Sequence, residues 1–290
     1  MIPAPFDYHA PGTLDEALAL LGKHGEGAKV LSGGQSLLPL LKLRLGSVDH
    51  LVDIGRIPGL DGLGEVDGGL RIGALVREAA LESSDVVRQK YPILLDTAKV
   101  IADPIVRNRA TVCGNLAHGD PGNDHPATMI ALRAEVVARG PNGERVIPVI
   151  EFFKGLFTTA LAPDEILVEI RIPAPPARSG GAYVKLERKV GDYATAAAAA
   201  QVTLGADGTI ERIGMALTNA GTVPIHATGA EEFLTGRKPD EASLVEAARL
   251  AAMAASPNAD RRGSVEYKQD MARVLAGRAL RIAVARAGGH

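Results

Sequence analysis

Cysteine and aromatic side chains are scarce in this 290-residue chain, which has one Cys, no Trp, and aromatics at only 3%. The single thiol, Cys113, excludes an intrachain disulfide and fits a reducing, cytoplasmic setting. No CxxC pair exists, so the chain alone cannot hold a cysteine-ligated iron–sulfur cluster. Without aromatics, a core must be built from Ala, Val, Leu and Ile, and hydrophobic residues at 46% are ample for one. Neither sign of charge dominates. With 32 basic and 34 acidic residues and a formal net charge of −2, there is no basic field for nucleic acid or an anionic membrane. Long apolar runs are also missing. Ala194 to Val202, interrupted by Thr195, is too short to span a bilayer and reads as a buried strand. No basic stretch followed by an apolar segment opens the sequence, so no secretory signal is expected. GxxxxGK[ST] is absent, which excludes a P-loop. Gly62-Leu63-Gly64 begins a dinucleotide fingerprint that fails at Asp67, where the third glycine belongs.

What is present reads as mixed helix and strand. Thr13-Leu14-Asp15-Glu16 is a capping box, and Leu14, Ala17, Leu18 and Leu21 continue at helical spacing. Strands are expected at Lys29–Leu31, Leu51–Ile54, Leu70–Ala74 and Ile166–Ile172, and a hairpin over 136–147. Helices are expected from Pro92 to Ile101 and from an Asn123-Asp124 cap to Leu132. Pro173 through Gly181 reads as a linker. Beyond it come three strand-like runs (182–189, 196–204, 210–217) and then helices at 230–234, 241–255 and 265–287. Strands followed by helices within one segment argue for an α+β fold. The length suits one large or two modest domains.

Two glycine-centred segments carry the chemistry: Ser32-Gly33-Gly34-Gln35-Ser36 and Thr111-Val112-Cys113-Gly114-Asn115. Each follows an apolar run and joins glycine to hydroxyl or amide residues. Glycine permits close backbone approach, so successive N–H groups can line one anion-binding concavity. Either segment alone would also suit an ordinary turn. His118, Asp120, Asp124 and His125 match no zinc or calcium spacing, and no metal-ligating set is expected.

Ser32 through Pro39, and Ile101-Ala102-Asp103-Pro104 through Thr111–Pro126, resemble the two FAD loops of the flavoprotein subunit of molybdenum hydroxylases. The likeness is strongest to the medium subunits of aerobic carbon monoxide dehydrogenases and their relatives. It extends to Met1-Ile2-Pro3, Phe6–His9, Lys185–Thr195 and Glu266-Tyr267-Lys268, and so covers nearly the whole chain. The resemblance implies an α+β fold of the vanillyl-alcohol oxidase and enolpyruvyl-glucosamine reductase type. Residues 1–176 would form an FAD-binding domain of two subdomains split near residue 56, and residues 177–290 a C-terminal α+β domain. It implies non-covalent FAD, with Lys29, Val30, Leu31, Ser32, Gly33, Gly34, Gln35, Ser36 and Leu37 on one side of the pyrophosphate. Thr111, Gly114 and Asn115 would lie on the other side. Ile101, Ala102, Leu37, Leu38 and Leu167 match apolar walls, and Asp124 matches an acid near the ribityl–phosphate region. Lys185 and Arg188 would place positive charge at the flavin edge, and Tyr193 would cover the ring.

No catalytic acid, base or nucleophile is implied in this subunit. Molybdopterin and [2Fe–2S] clusters would belong to a large and a small partner subunit, in a dimer of heterotrimers. The location would be cytoplasmic, with any membrane contact indirect, at the inner face. Two departures from the family pattern stand out. Gln35 replaces a frequent His, and Cys113 replaces a usual Gly, so that position is either not left-handed or is strained. The alternatives are a free-standing flavoenzyme of the same fold and a non-catalytic assembly subunit with a degenerate site.

Overall fold

A computed structural model describes residues 2–289 and sets out three main sheets in chain order. The first is parallel, with Asp7–His9 and Ala28–Leu31 on either side of His50–Asp53. Helix Leu14–His24 crosses between the first two strands in sequence. Thr13 caps it, accepting from Glu16 N, while Glu16 Oε2 reaches back to Gly12 N, one residue before the usual capping-box partner. Ala17, Leu18 and Leu21 bury that helix against Ala28 and Val52. The strand Asp7–His9 is an addition to the expected elements; three polar or half-exposed residues leave no alternation to read. Ala28–Leu31 runs straight into the first glycine loop and on to helix Leu37–Lys42, so the loop stands at the carboxyl edge of a parallel sheet, where such sheets bind ligands.

The second sheet is antiparallel, in the order Leu63–Val66, Gly69–Gly73, Ile166–Ile172, Glu135–Gly140, Gly143–Pro148. Its last two strands are the expected hairpin. Its first two are joined by Asp67 and Gly68, both at positive φ (52° and 79°), as a two-residue type I′ turn requires. The residue that breaks the dinucleotide fingerprint is therefore a hairpin turn residue. Helix Val112–His118, starting at the second glycine loop, packs against Ile166–Ile172.

The third sheet, Ser179–Leu186, Ala196–Leu204, Ile210–Thr218 and Ile225–His226, is also antiparallel. Ala196, Ala198 and Ala200 face helices Glu241–Met253 and Val265–Gly288, whereas Ala197 and Ala199 face the core shared with Leu94 and Met129. Alternation puts small side chains on both faces. A Cβ on Gly180 would overlap backbone atoms of Ala283 and Ala287, and one on Gly214 would overlap the backbone of Ala131. Helices thus approach this sheet closely from both sides, which is where the shortage of aromatics finds its structural use. The expected linker ends at Arg178. Gly180 and Gly181 belong to the first strand of this sheet, where their lack of Cβ serves packing rather than chain flexibility. No described helix is long and apolar enough to cross a membrane.

Candidate functional site

The two glycine segments meet at a cleft of about 550 Å³. Gly34 has φ +76°, a conformation that side-chain-bearing residues rarely adopt. Gly33 abuts the second segment, and a Cβ there would stand 2.8 Å from Ala110 Cα and 2.9 Å from Thr111 N. A hydroxyl chain ties the segments together. Ser32 Oγ donates to Ala74 O at 3.2 Å and lies 3.0 Å from Thr111 Oγ1, which accepts from Gly114 N at 3.3 Å. Among the described residues, the backbone N–H groups of Gly33, Gly34, Gln35 and Ser36 have no intramolecular acceptor. Buried or cleft-facing donors in that condition require an outside partner. Asn115 Oδ1 is likewise buried and unpartnered. Of the expected site residues, Lys29 through Leu37, Thr111, Gly114, Asn115 and Leu167 line this cleft.

Ile101, Ala102, Asp124, Lys185 and Tyr193 do not line it. They gather in a neighbouring cluster, joined to the cleft where Asn123 Nδ2 donates to Asn115 O at 2.8 Å. Here Asp124 Oδ1 accepts from Tyr183 OH at 2.6 Å, and Asp124 Oδ2 accepts from Lys185 Nζ at 2.9 Å. Lys185 Nζ also donates to Val100 O at 2.9 Å and lies 3.4 Å from Glu187 Oε2. Tyr183 OH has one proton; with that given to Asp124, it accepts from Thr218 Oγ1 at 3.1 Å. Burial pushes the Asp124 carboxyl up from its ordinary range, against the pull of Lys185, and pushes the Tyr183 phenol well up. Asn219 fastens the surrounding loops, its N–H donating to Pro121 O and its amide to Ala194 O. Gly191 (φ +83°) lies against the backbone of Ala102, and a Cβ on Gly122 would be 3.3 Å from the Tyr193 ring.

A family model described as the FAD binding domain in molybdopterin dehydrogenase matches residues 4–175, and one for the CO dehydrogenase flavoprotein C-terminal domain matches residues 181–283. The chain is 46% identical to the carbon monoxide dehydrogenase medium chain of Hydrogenophaga pseudoflava, over 99% of both chains. It is 37% identical to the 6-hydroxypseudooxynicotine dehydrogenase complex subunit alpha of Paenarthrobacter nicotinovorans, over 99% of this chain and 97% of that one. A solved carbon monoxide dehydrogenase from Hydrogenophaga pseudoflava, which lacks the Mo-pyranopterin moiety of its cofactor, superposes with TM-score 0.96 at 47% identity over 99% of both chains. The chain belongs to the medium-chain, FAD-binding family of molybdenum hydroxylase subunits.

As a member of that family it is an oxidoreductase subunit whose cofactor is FAD. The residues present fit that group. A row of four acceptor-free N–H groups suits a pyrophosphate, the unpartnered Asn115 amide oxygen suits a donor on the cofactor, and the cleft volume lies within the usual range for a bound ligand. Cys113, the family's usual glycine, sits in the first turn of helix Val112–His118 and is absent from the positive-φ positions, so the loop is unstrained there. Its thiol is buried, its Sγ lies 3.6 Å from Ile72 O, and burial raises its pKa well above the ordinary value, which leaves it inert. The only sequence feature favouring a degenerate site is thereby explained as packing.

Three expectations need correction. Asp124 occupies the N-cap position of helix His125–Ala131 but makes no capping bond, because Lys185 and Tyr183 take both carboxylate oxygens. Lys185, 2% exposed, is locked between Asp124 and Val100 O and offers no free charge. Arg188 turns outward to Asp192, at 3.5 Å. Tyr193, which the resemblance places over the ring, is 45% exposed. The histidines of the 118–125 segment part company. His118 lines the cleft, while His125 is fully buried, with Nε2 2.7 Å from Glu78 Oε2. Tyr183 and Asn219 were missed, as were His9, His24 and His50, three histidines that the fold brings together from distant positions. A lone polar residue on an apolar strand, or just past the end of one, was the only available sign of the first two.

Proposed function

We propose that this chain relays electrons from the [2Fe–2S] clusters of a small partner subunit to an external acceptor, while a large molybdopterin subunit oxidises the substrate. When bound, non-covalent FAD supplies the chemistry of accepting electrons singly and releasing them singly or in pairs. The Gly33–Ser36 N–H groups bind the pyrophosphate from one side, and Thr111, Gly114 and Asn115 hold it from the other. Lys29–Leu31, Leu37 and Leu167 exclude water along the cleft. Asp124, held by Lys185 and Tyr183, positions the 119–124 loop beside the cofactor, with Ile101 and Ala102 behind it. Tyr193 shields one face of the ring. The division near residue 176, the dimer of heterotrimers and the cytoplasmic location belong to the same reading, as does membrane contact only through a quinone or an anchor protein.

The observation that carries this reading is the run of acceptor-free N–H groups at Gly33–Ser36, in a loop tied to Thr111 through the Ser32 hydroxyl. A free-standing flavoenzyme would need an acid or base beside the cofactor. The buried titratable groups of the neighbouring cluster are instead locked to one another. The test is reconstitution. The purified chain should take up FAD, its flavin should bleach with dithionite or with reduced iron–sulfur subunit, and no organic substrate alone should bleach it. Gly33→Val combined with Gly114→Val should leave a folded chain without flavin. Substrate-driven bleaching in the absence of partners would favour the free-standing enzyme, and normal flavin content in the double variant would remove the two-loop site.

A further inference from the structure

Away from the cleft, three histidines converge from three separate elements. His9 ends the strand Asp7–His9, His24 ends the helix Leu14–His24, and His50 opens the strand His50–Asp53. Parallel register sets Asp7 opposite His50, and His9, two residues on from Asp7, points to the same face. The helix returns along that face and delivers His24. Its ring centroid is 3.6 Å from that of His50 and 5.6 Å from that of His9, and the His9 and His50 centroids are 5.4 Å apart. One nitrogen from each ring lies within 4.8 Å of the other two.

One pair already has the spacing of ligands, and the His24 ring packs beside it. His9 Nε2 and His50 Nδ1 stand 3.3 Å apart. Two nitrogens bound tetrahedrally at 2.0–2.1 Å from a metal stand about 3.3–3.4 Å from each other. His24 Nε2 is buried and has no hydrogen-bond partner among the described residues. A buried ring nitrogen in that state lacks the partner that such groups almost always have. Asp7 Oδ2, on an exposed side chain, lies 3.5 Å from His50 Nδ1 and borders the remaining side. Imidazole donors suit borderline transition cations rather than Mg²⁺ or Ca²⁺, which prefer oxygen.

The geometry points to a site for Zn²⁺ or a similar divalent transition cation, held by His9, His24 and His50, with its fourth position beside Asp7. None of the three histidines lines the flavin cleft, so the site is separate from FAD binding. Its ligands come from one edge strand and the central strand of the first parallel sheet and from the helix across it. A bound cation would therefore clamp the subdomain that carries the Ser32–Ser36 loop.

The test uses the untagged full chain, stripped by chelator and titrated with Co²⁺ alone. One equivalent should bind, with the intense visible bands of four-coordinate Co²⁺, and Zn²⁺ should displace it. His24→Ala and His50→Ala should each weaken Co²⁺ binding at least tenfold and remove the bands, whereas His226→Ala, on a histidine elsewhere, should leave both unchanged. Zn²⁺ at about a hundredfold excess over Kd should raise the thermal midpoint of the wild type by roughly 5 °C or more, and leave that of the variants unmoved. Should an alanine variant fail to fold, His9→Gln and His24→Gln keep side-chain bulk and give the same readout. No saturable Co²⁺ binding, or binding indifferent to all three histidines, would leave a packed histidine trio and overturn the site.

Discussion

The glycine cleft and the Tyr183–Asp124–Lys185 cluster lie on either side of the Asn115–Asn123 hydrogen bond, and they treat polar groups in opposite ways. In the cleft, a run of backbone donors and an amide oxygen have no protein partner. In the cluster, the Tyr183 hydroxyl, both Asp124 oxygens and the Lys185 ammonium are all engaged within the protein. An unmet donor is tolerable only where something else will meet it, whereas a fully met buried network fixes local structure. The contrast separates a surface built to receive a ligand from a brace that holds loops in place beside it.

Removing one member of the brace should have the largest effect. Asp124→Ala leaves the Lys185 ammonium buried without its carboxylate and should cost about 3–5 kcal/mol of stability, read by denaturant unfolding of the FAD-free chain. Asp124→Leu together with Lys185→Met should recover much of that loss, because an apolar pair of similar volume carries no unpaired charge. If Asp124→Ala unfolds like the wild type but loses FAD, the cluster is a ligand-binding surface and the contrast collapses.

A change in the cleft should do the reverse. Gly33→Ala forces a methyl group against the Arg109–Thr111 backbone and separates the two loops. FAD affinity should fall at least tenfold, about 1.4 kcal/mol, with the circular dichroism of the chain preserved. Retained affinity would mean that the loops can separate without harm to the site.

Tyr193→Ala tests the boundary between the regions. Its half-exposed ring makes a small contribution to the core, so the thermal midpoint should move little. Loss of an aromatic contact, worth roughly 0.5–1.5 kcal/mol, should weaken FAD several-fold and raise the emission of the bound flavin. A large drop in midpoint with unchanged emission would assign the ring to packing.

The smallest effect concerns the cleft rim. Arg145 bonds both Glu165 oxygens, at 2.6 and 2.7 Å, and this holds the Glu165 carboxyl below its ordinary range. Because the folded pKa is depressed, the pair's contribution is present above the unfolded value near 4.3 and fades as pH falls through the lower folded value. The Arg145 side chain is half-exposed, so the contribution should be no more than about 1 kcal/mol. Glu165→Gln should flatten the acid limb of the stability–pH curve by that amount; an unchanged acid limb would make the pair energetically neutral.

The cleft was legible because its residues are consecutive. Ser32–Ser36 and Thr111–Asn115 each carry glycine beside hydroxyl or amide groups, and local backbone chemistry explains both. The brace was half legible. Asp124 and Lys185 stood out through the family resemblance, but Tyr183 and Asn219 matter only through partners far off in the chain, such as Asp124 and Ala194. Gly180 and Gly181 read as flexible linker because a sequence reveals the missing Cβ and not the helix that fills its place. His9, His24 and His50 were invisible for a related reason, since a parallel register and a helix return, rather than any spacing, unite them.

The alanine-lined third sheet also bears on the order of events during synthesis. Every residue lining the glycine cleft has been made by Leu167, whereas the helix that seals Gly180, Ala196, Ala198 and Ala200 begins at Val265. At usual translation speeds of 5–20 residues per second, the ribosome needs roughly 5–20 s to add the intervening hundred or so residues. Once the sheet strands are made, by His226, the nascent chain carries all the lining of the glycine cleft but a sheet with one face still waiting for that helix. Free FAD in the cell therefore meets the cleft-lining segments before the chain has its final helix. Chaperone dependence, where it arises, should concern the alanine strands.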